Sequence, residues 1–208
     1  MKLLYINSSP RGQSSASNLA ADIVLNALPQ DCEVEQIDLF DIPLPEVTLE
    51  ITAAKMKQFL AIPLEDEEAR QWKEVIRLVE QFLSADAYVF GVPMWNFHIP
   101  YKLKHYIDVI NHPGLTFTRD ANGPRGLASG SALLIYARGG NYSPKEGQPD
   151  PLDFQSTYMK AWLGSVGITE VTEVLVQNTL AGPDAGSKAV AGAEMELRAF
   201  AKGLASGV

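Results

Sequence analysis

Three short runs in this chain are apolar almost without interruption: KLLYIN at 2–7, AYVFGVP at 87–93 and SALLIYA at 131–137. A strand built from such a run has no polar face, so it must be covered on both sides, which is the condition of a parallel sheet. Between and after these runs the apolar period changes from continuous to helical. From Ser17 onward Leu19, Ala20, Ile23, Val24, Ala27 and Leu28 recur at helical spacing, with Ser17 read as the N-cap. Residues 67–83 place Trp72, Val75, Ile76, Val79, Phe82 and Leu83 on one face and Lys73, Glu74, Arg77 and Glu80 on the other. Further helices are expected over 53–60, 101–110, 152–165 and the Ala-rich tail after Pro183. Two more strands are expected over 33–39 and 168–176.

Strands and helices therefore alternate. Five strands in this order fit a flavodoxin-like, doubly wound α/β architecture: a five-stranded parallel sheet with helices on both faces. No internal repeat or long linker divides the 208 residues, so residues 1–208 are read as one domain. Lys plus Arg is 17 against 25 Asp plus Glu, a net charge of −8. That balance argues against a broad nucleic-acid or anionic-membrane surface. No apolar run approaches the roughly 20 residues that span a bilayer. The opening residues are too short an apolar stretch for a secretory signal, so a cytoplasmic location is expected. A single cysteine, Cys32, excludes an internal disulfide framework. His98, His105 and His112 do not form a metal-ligand pattern.

In a doubly wound sheet, ligands sit beyond the carboxyl ends of the strands. Three unusual loops fall there. The first, SSPRGQSSAS at 8–17, offers hydroxyls, free amides and a helix N-terminus, which are the elements of a phosphate cradle, yet it carries neither a Walker nor a GxGxxG pattern. An ordinary helix-capping connection would look the same. The second, GVPMWNFHIP at 91–100, brackets Trp95, Asn96 and Phe97 between prolines, which would suit either a planar ligand or a covered sheet edge. The third, Arg138-Gly139-Gly140-Asn141-Tyr142, would let the backbone approach a ligand closely. Each loop alone is a weak signal, and the strength lies in their conjunction.

The segments NSSPRGQSSASN (7–18), PMWNFHIPYKLKHYID (93–108) and ARGGNYSP (137–144), with TFT at 116–118 and the following GPRGL, resemble the FMN-dependent NADH:azoreductases, relatives of the NAD(P)H:quinone reductases. The resemblance runs over nearly the whole chain. It implies bound FMN, NADH as hydride donor, and reduction of quinones to hydroquinones and of aromatic azo compounds to amines in a ping-pong cycle. It implies that Ser9, Ser15, Ala16 and Ser17 hold the FMN phosphate. Met94, Trp95, Asn96 and Phe97 would line the ring and ribityl chain, and Ala137, Arg138, Gly139 and Gly140 would meet the ring's polar edge through backbone groups. Two positions depart from the pattern: Trp95 stands where Tyr is common, and Ala137 where Ser is common, which removes a hydroxyl. The resemblance also implies a homodimer with the flavin near the subunit interface.

Phe117 and Tyr142, both in irregular segments, are the candidates for stacking on substrate. No side chain is assigned as catalytic acid or base, because the cofactor carries the hydride and the protein supplies position and electrostatics. His98 is read as a loop or helix-start histidine and Cys32 as packing. A flavodoxin-type electron carrier that ignores NADH is the alternative. The long 111–130 and 138–151 segments disfavour it, since they suit the walls of a substrate pocket.

Overall fold

The structure, a computed structural model, describes residues 1–121, 123–148 and 150–205. Strand β1 (Lys2–Asn7) is followed by a one-turn 3₁₀ segment (Gly12–Ser14) and helix α1 (Ala16–Leu25). Then come β2 (Glu33–Asp38), α2 (Leu49–Phe59), α3 (Asp66–Leu83), β3 (Ala87–Pro93) and α4 (Tyr101–Ile110). A small hairpin, β4 (Phe117–Asp120) with β5 (Gly123–Gly126), precedes β6 (Ser131–Ala137), α5 (Phe154–Val166), β7 (Glu170–Val176) and α6 (Ala185–Ala205).

The main sheet has the order β2-β1-β3-β6-β7, with every pair parallel. This is the doubly wound arrangement expected from the sequence. Its central strands are the three continuous apolar runs, and their residues are buried on both faces. One face packs Leu4, Ile6, Tyr88, Phe90, Leu134 and Tyr136 against α3, α4 and α5. The other packs Leu3, Tyr5, Val89, Leu133 and Ile135 against α1 and α6.

Helix α3 starts with a capping box between Glu65 and Glu68 and buries Trp72, Val75, Leu78, Val79 and Phe82, as its periodicity predicts. Several boundaries differ from the sequence reading. Helix α1 begins two residues earlier, with Ser15 rather than Ser17 at the N-cap, and stops at Leu25, four residues before Pro29. Helix α2 begins at Leu49 because Thr48 Oγ1 accepts the Ile51 N–H and sets the start a turn upstream of the expected 53.

Two close approaches position the later elements. A Cβ at Gly126 would lie 2.0 Å from the backbone of Val166 and Gly167, so the β4–β5 hairpin seats on the end of α5 only because residue 126 is glycine. A Cβ at Gly91 would lie 3.3 Å from Tyr5 Oη, a tight contact, so this glycine leaves room for the Tyr5 ring beneath α1.

Candidate functional site

The carboxyl ends of β1, β3 and β6 lie side by side, and direct bonds stitch their loops together. Asn7 pairs with Gly91 in register, and Pro93 with Ala137. Ser8 donates both its N–H (3.2 Å) and its hydroxyl (2.6 Å) to Gly91 O. Met94 N–H donates to Ala137 O at 2.8 Å. The three loops singled out in the sequence therefore form one surface.

The first loop is a hydroxyl-lined turn. Ser9, Ser15 and Ser17 are buried and Ala16 is half-buried. Asn7 Oδ1 accepts the Ser9 N–H (2.9 Å) while its Nδ2 donates to Asp38 (2.6 Å), which fixes the start of the turn. Ser15, at the N-cap of α1, makes no side-chain cap; its Oγ instead bonds Ser17 Oγ at 2.9 Å. The helix thus presents its first amides without a capping side chain, two serine hydroxyls beside them, and the positive end of its dipole. That combination suits an anion.

The second loop turns in two residues. Trp95 and His98 exchange N–H···O bonds of 2.9 and 3.0 Å, and the residues between them, Asn96 (φ 48°) and Phe97 (φ 69°), both lie in the left-handed region. This is the geometry of a type I′ turn. Asn tolerates it, whereas Phe adopts it at a cost. The strained residue is also a largely exposed aromatic, held where it faces solvent. Phe97 meets Tyr142 edge-on, centroids 6.2 Å apart, so the second and third loops share an aromatic corner. Trp95 packs instead with Phe40 (5.9 Å) and Tyr101 (6.3 Å).

Across residues 137–140 every carbonyl is engaged. Ala137 O takes Met94 N–H, and Arg138 O takes the N–H and hydroxyl of Thr179. Gly139 O takes Leu180 N–H (3.4 Å), and Gly140 O takes Asn178 N–H (3.1 Å). The amides of Gly139 and Gly140 donate to none of the described residues. Arg138 corrects the expectation that every residue of 137–140 offers a backbone group. Its N–H donates to Val176 O (2.8 Å), its carbonyl is doubly bonded, and its side chain is buried in an ion pair with Asp153. Two adjacent amides, at 139 and 140, remain as the donors of this edge.

The two residues expected to stack on substrate have different neighbours. Tyr142 joins the aromatic corner. Phe117 instead lines a cavity of about 520 Å³ with Phe59, Pro113, Gly114 and Arg119, between α2 and the hairpin. His98 accepts the Ile99 N–H on Nδ1 (2.8 Å), its ring lies 5.1 Å from Tyr158, and burial together with Lys104 lowers its pKa. Lys55 is committed to Asn111 O (3.1 Å) and Lys57 to Glu68 (2.7 Å). Cys32 is half-buried against the α1/α6 side of the core.

Phe40, Tyr101 and the 177–180 segment escaped the sequence reading. Phe40 and residues 177–180 follow the outer strands β2 and β7, so the strand-end rule applied to all five strands finds them.

Residues 1–201 match the family described as having a flavodoxin-like fold. An FMN-dependent NADH:quinone oxidoreductase of Desulfotalea psychrophila is 42% identical, over 99% of this chain and 98% of its own length. FMN-dependent NADH:quinone oxidoreductase 3 of Pseudomonas fluorescens is 37% identical over the same shares. Among solved structures, an FMN-dependent NADH-azoreductase of Bacillus anthracis in complex with FMN superposes with a TM-score of 0.85 at 29% identity, over 99% of this chain and 100% of its own.

Proposed function

The chain belongs to the flavodoxin-like family of FMN-dependent NADH:quinone oxidoreductases, and from that membership we propose that its three strand-end loops hold FMN and serve NADH and an aromatic acceptor in turn at one slot. It is an oxidoreductase that takes hydride from NADH and reduces quinones and aromatic azo compounds. One NADH and one proton convert a quinone to a hydroquinone and NAD⁺. Two NADH and two protons cleave an azo bond to two amines.

The residues present fit such a cofactor. The observation that carries the assignment is the N-terminus of α1, which has no side-chain cap and has buried Ser15 and Ser17 beside it, where a phosphate would find amides, hydroxyls and the helix dipole together. Ser9 and Ala16 complete that cradle. Met94, Trp95, Asn96 and Phe97 would line the ring and ribityl chain, with Ala137, Gly139 and Gly140 along the polar edge. FMN held by these residues would supply the two-electron hydride chemistry that links nicotinamide to acceptor. The protein's contribution is electrostatic: the free amides of Gly139 and Gly140 favour negative charge at the ring edge, as an oxyanion hole does. Phe97 and Tyr142 give a planar acceptor an aromatic corner to lie against.

The same proposal takes residues 1–208 as one FMN-binding domain, because strands from both halves of the chain share one sheet. It also takes the protein as a homodimer. Leu49, Met56, Phe59 and Leu60 stand exposed along and just after α2, Phe59 also lines the cavity that Phe117 lines, and a second subunit would cover them. A cytoplasmic setting accords with NADH as donor, and no helix among the described residues is long and apolar enough to cross a membrane.

Steady-state kinetics test the shared slot. Double-reciprocal plots against NADH at several quinone concentrations are expected to be parallel. Lines that intersect left of the axis would show donor and acceptor bound together and would end the one-slot reading.

A further inference from the structure

The largest fully buried side chain among the described residues is charged: Arg138, 1% exposed. A buried guanidinium persists only if its donors are satisfied and its charge is matched. Here Nη2 bonds both oxygens of Asp153 (3.0 and 2.9 Å), Nε donates to Gln155 Oε1 (2.9 Å), and the group lies 5.1 Å over the Tyr136 ring. Each partner is itself anchored. Asp153 caps α5 through Ser156 N–H (2.9 Å), and Gln155 Nε2 donates to Val92 O (3.0 Å), two residues before Met94. The remaining nitrogen, Nη1, reaches Tyr142 O at 3.4 Å. Tyr142 N–H is held from the other side by Gln177 Oε1 at 2.7 Å. Both backbone groups of Tyr142 are therefore fixed by side chains from elsewhere in the fold, although the loop around it has no regular secondary structure of its own.

We propose that Arg138 is a positioning residue for acceptor recognition: by fixing the backbone of Tyr142 it holds that ring against Phe97 and sets the width of the slot an acceptor enters. This rests on the function proposed above but concerns the wall of the slot rather than the cofactor's cradle. A guanidinium suits the task because its planar fork satisfies a carboxylate, an amide and a carbonyl at once. A lysine ammonium keeps the charge and loses the fork.

The test is a double-mutant cycle between Arg138→Lys and Tyr142→Ala, read in two ways. In the FMN-free protein, hydrogen exchange at the Tyr142 amide is expected to quicken at least tenfold in Arg138→Lys. In the loaded enzyme, the KM for a two-ring quinone is expected to rise about fivefold, with kcat within twofold of the parent. In the Tyr142→Ala background the same Arg138→Lys change is expected to move KM less than twofold, because the ring it positions is gone. An effect on KM that persists undiminished without the Tyr142 ring, or unchanged exchange, would overturn the assignment. If Arg138→Lys does not fold, Asp153→Asn replaces it. It loosens the same guanidinium and is expected to move exchange and KM in the same direction; no change in either overturns the proposal. A parent protein that takes up no FMN would refute the proposed function, and the exchange measurement would still decide on Arg138.

Discussion

A carboxylate placed at the N-cap of α1 discriminates sharply between a phosphate cradle and an ordinary helix start. Ser15 is buried at that N-cap, its hydroxyl bonded to Ser17 rather than to the helix amides. Aspartate is as good an N-cap as serine, and its charge favours the helix dipole, so Ser15→Asp suits a helix whose end has no other task. With a phosphate bound there, the same carboxylate meets a group of about −1.5 to −2 charge. At about 4 Å and an effective dielectric near 20, each unit pair costs about 4 kcal/mol, hence roughly 6–8 kcal/mol for the phosphate. Solvent and salt screen part of this, and half of the smaller figure, about 3 kcal/mol, still weakens binding more than a hundredfold. Ser15→Ala, which only removes a hydroxyl, is expected to cost about 0.5–1.5 kcal/mol, a two- to tenfold loss. The assay is quenching of flavin fluorescence on titrating FMN-free protein, with a thermal melt to show that each variant is folded. Ser15→Asp protein that is folded and binds FMN within tenfold of the parent would refute the cradle.

Two further perturbations follow from the geometry. Phe97→Gly and Phe97→Ala both delete the ring, but only glycine is at ease at φ 69°; the Gly variant is expected to be more stable by about 1 kcal/mol and to melt roughly 2–4 °C higher, and equal melting points would contradict the type I′ turn. His112 is buried against Trp72, ring centroids 4.8 Å apart, and burial, with Lys55 nearby, pushes its pKa down from 6.5 to about 4. The unfolded chain then binds a proton that the folded chain refuses. The stabilising contribution is complete above pH 6.5, falls as pH drops toward 4 and levels off below, a loss of about 3 kcal/mol over that window. Urea titrations at pH 7 and pH 4.5 are expected to show a slope of stability against pH that His112→Phe removes; an unchanged slope would assign it to other groups.

The sheet was legible because its central strands are apolar on both faces. KLLYIN, AYVFGVP and SALLIYA admit few other readings, and the intervening 3.6-residue periods of α3 and α4 are equally plain. Helix boundaries were less legible because they depend on single side-chain bonds, such as Thr48 to Ile51 N–H. The choice between Ser15 and Ser17 as N-cap turns on backbone dihedrals that a serine-rich string leaves open. At the site, the loops were legible as loops, but not the commitments of their atoms. Nothing in the string RGGNY tells that the Arg138 side chain turns inward to Asp153, fifteen residues on, while the amides of Gly139 and Gly140 donate to none of the described residues. That Phe117 lines a cavity with Phe59 depends on where the β4–β5 hairpin seats, and the close approach of Gly126 to Val166 and Gly167 is part of that seat.

The central claim is that the strand-end loops hold a flavin that NADH reduces. The most direct measurement is the visible absorbance spectrum of the purified protein loaded with FMN, taken before and after NADH is added without oxygen. The account predicts flavin bands that bleach on addition of NADH and return when a quinone is supplied. Protein that takes up no FMN, or bound flavin whose bands persist in the presence of NADH, would contradict it.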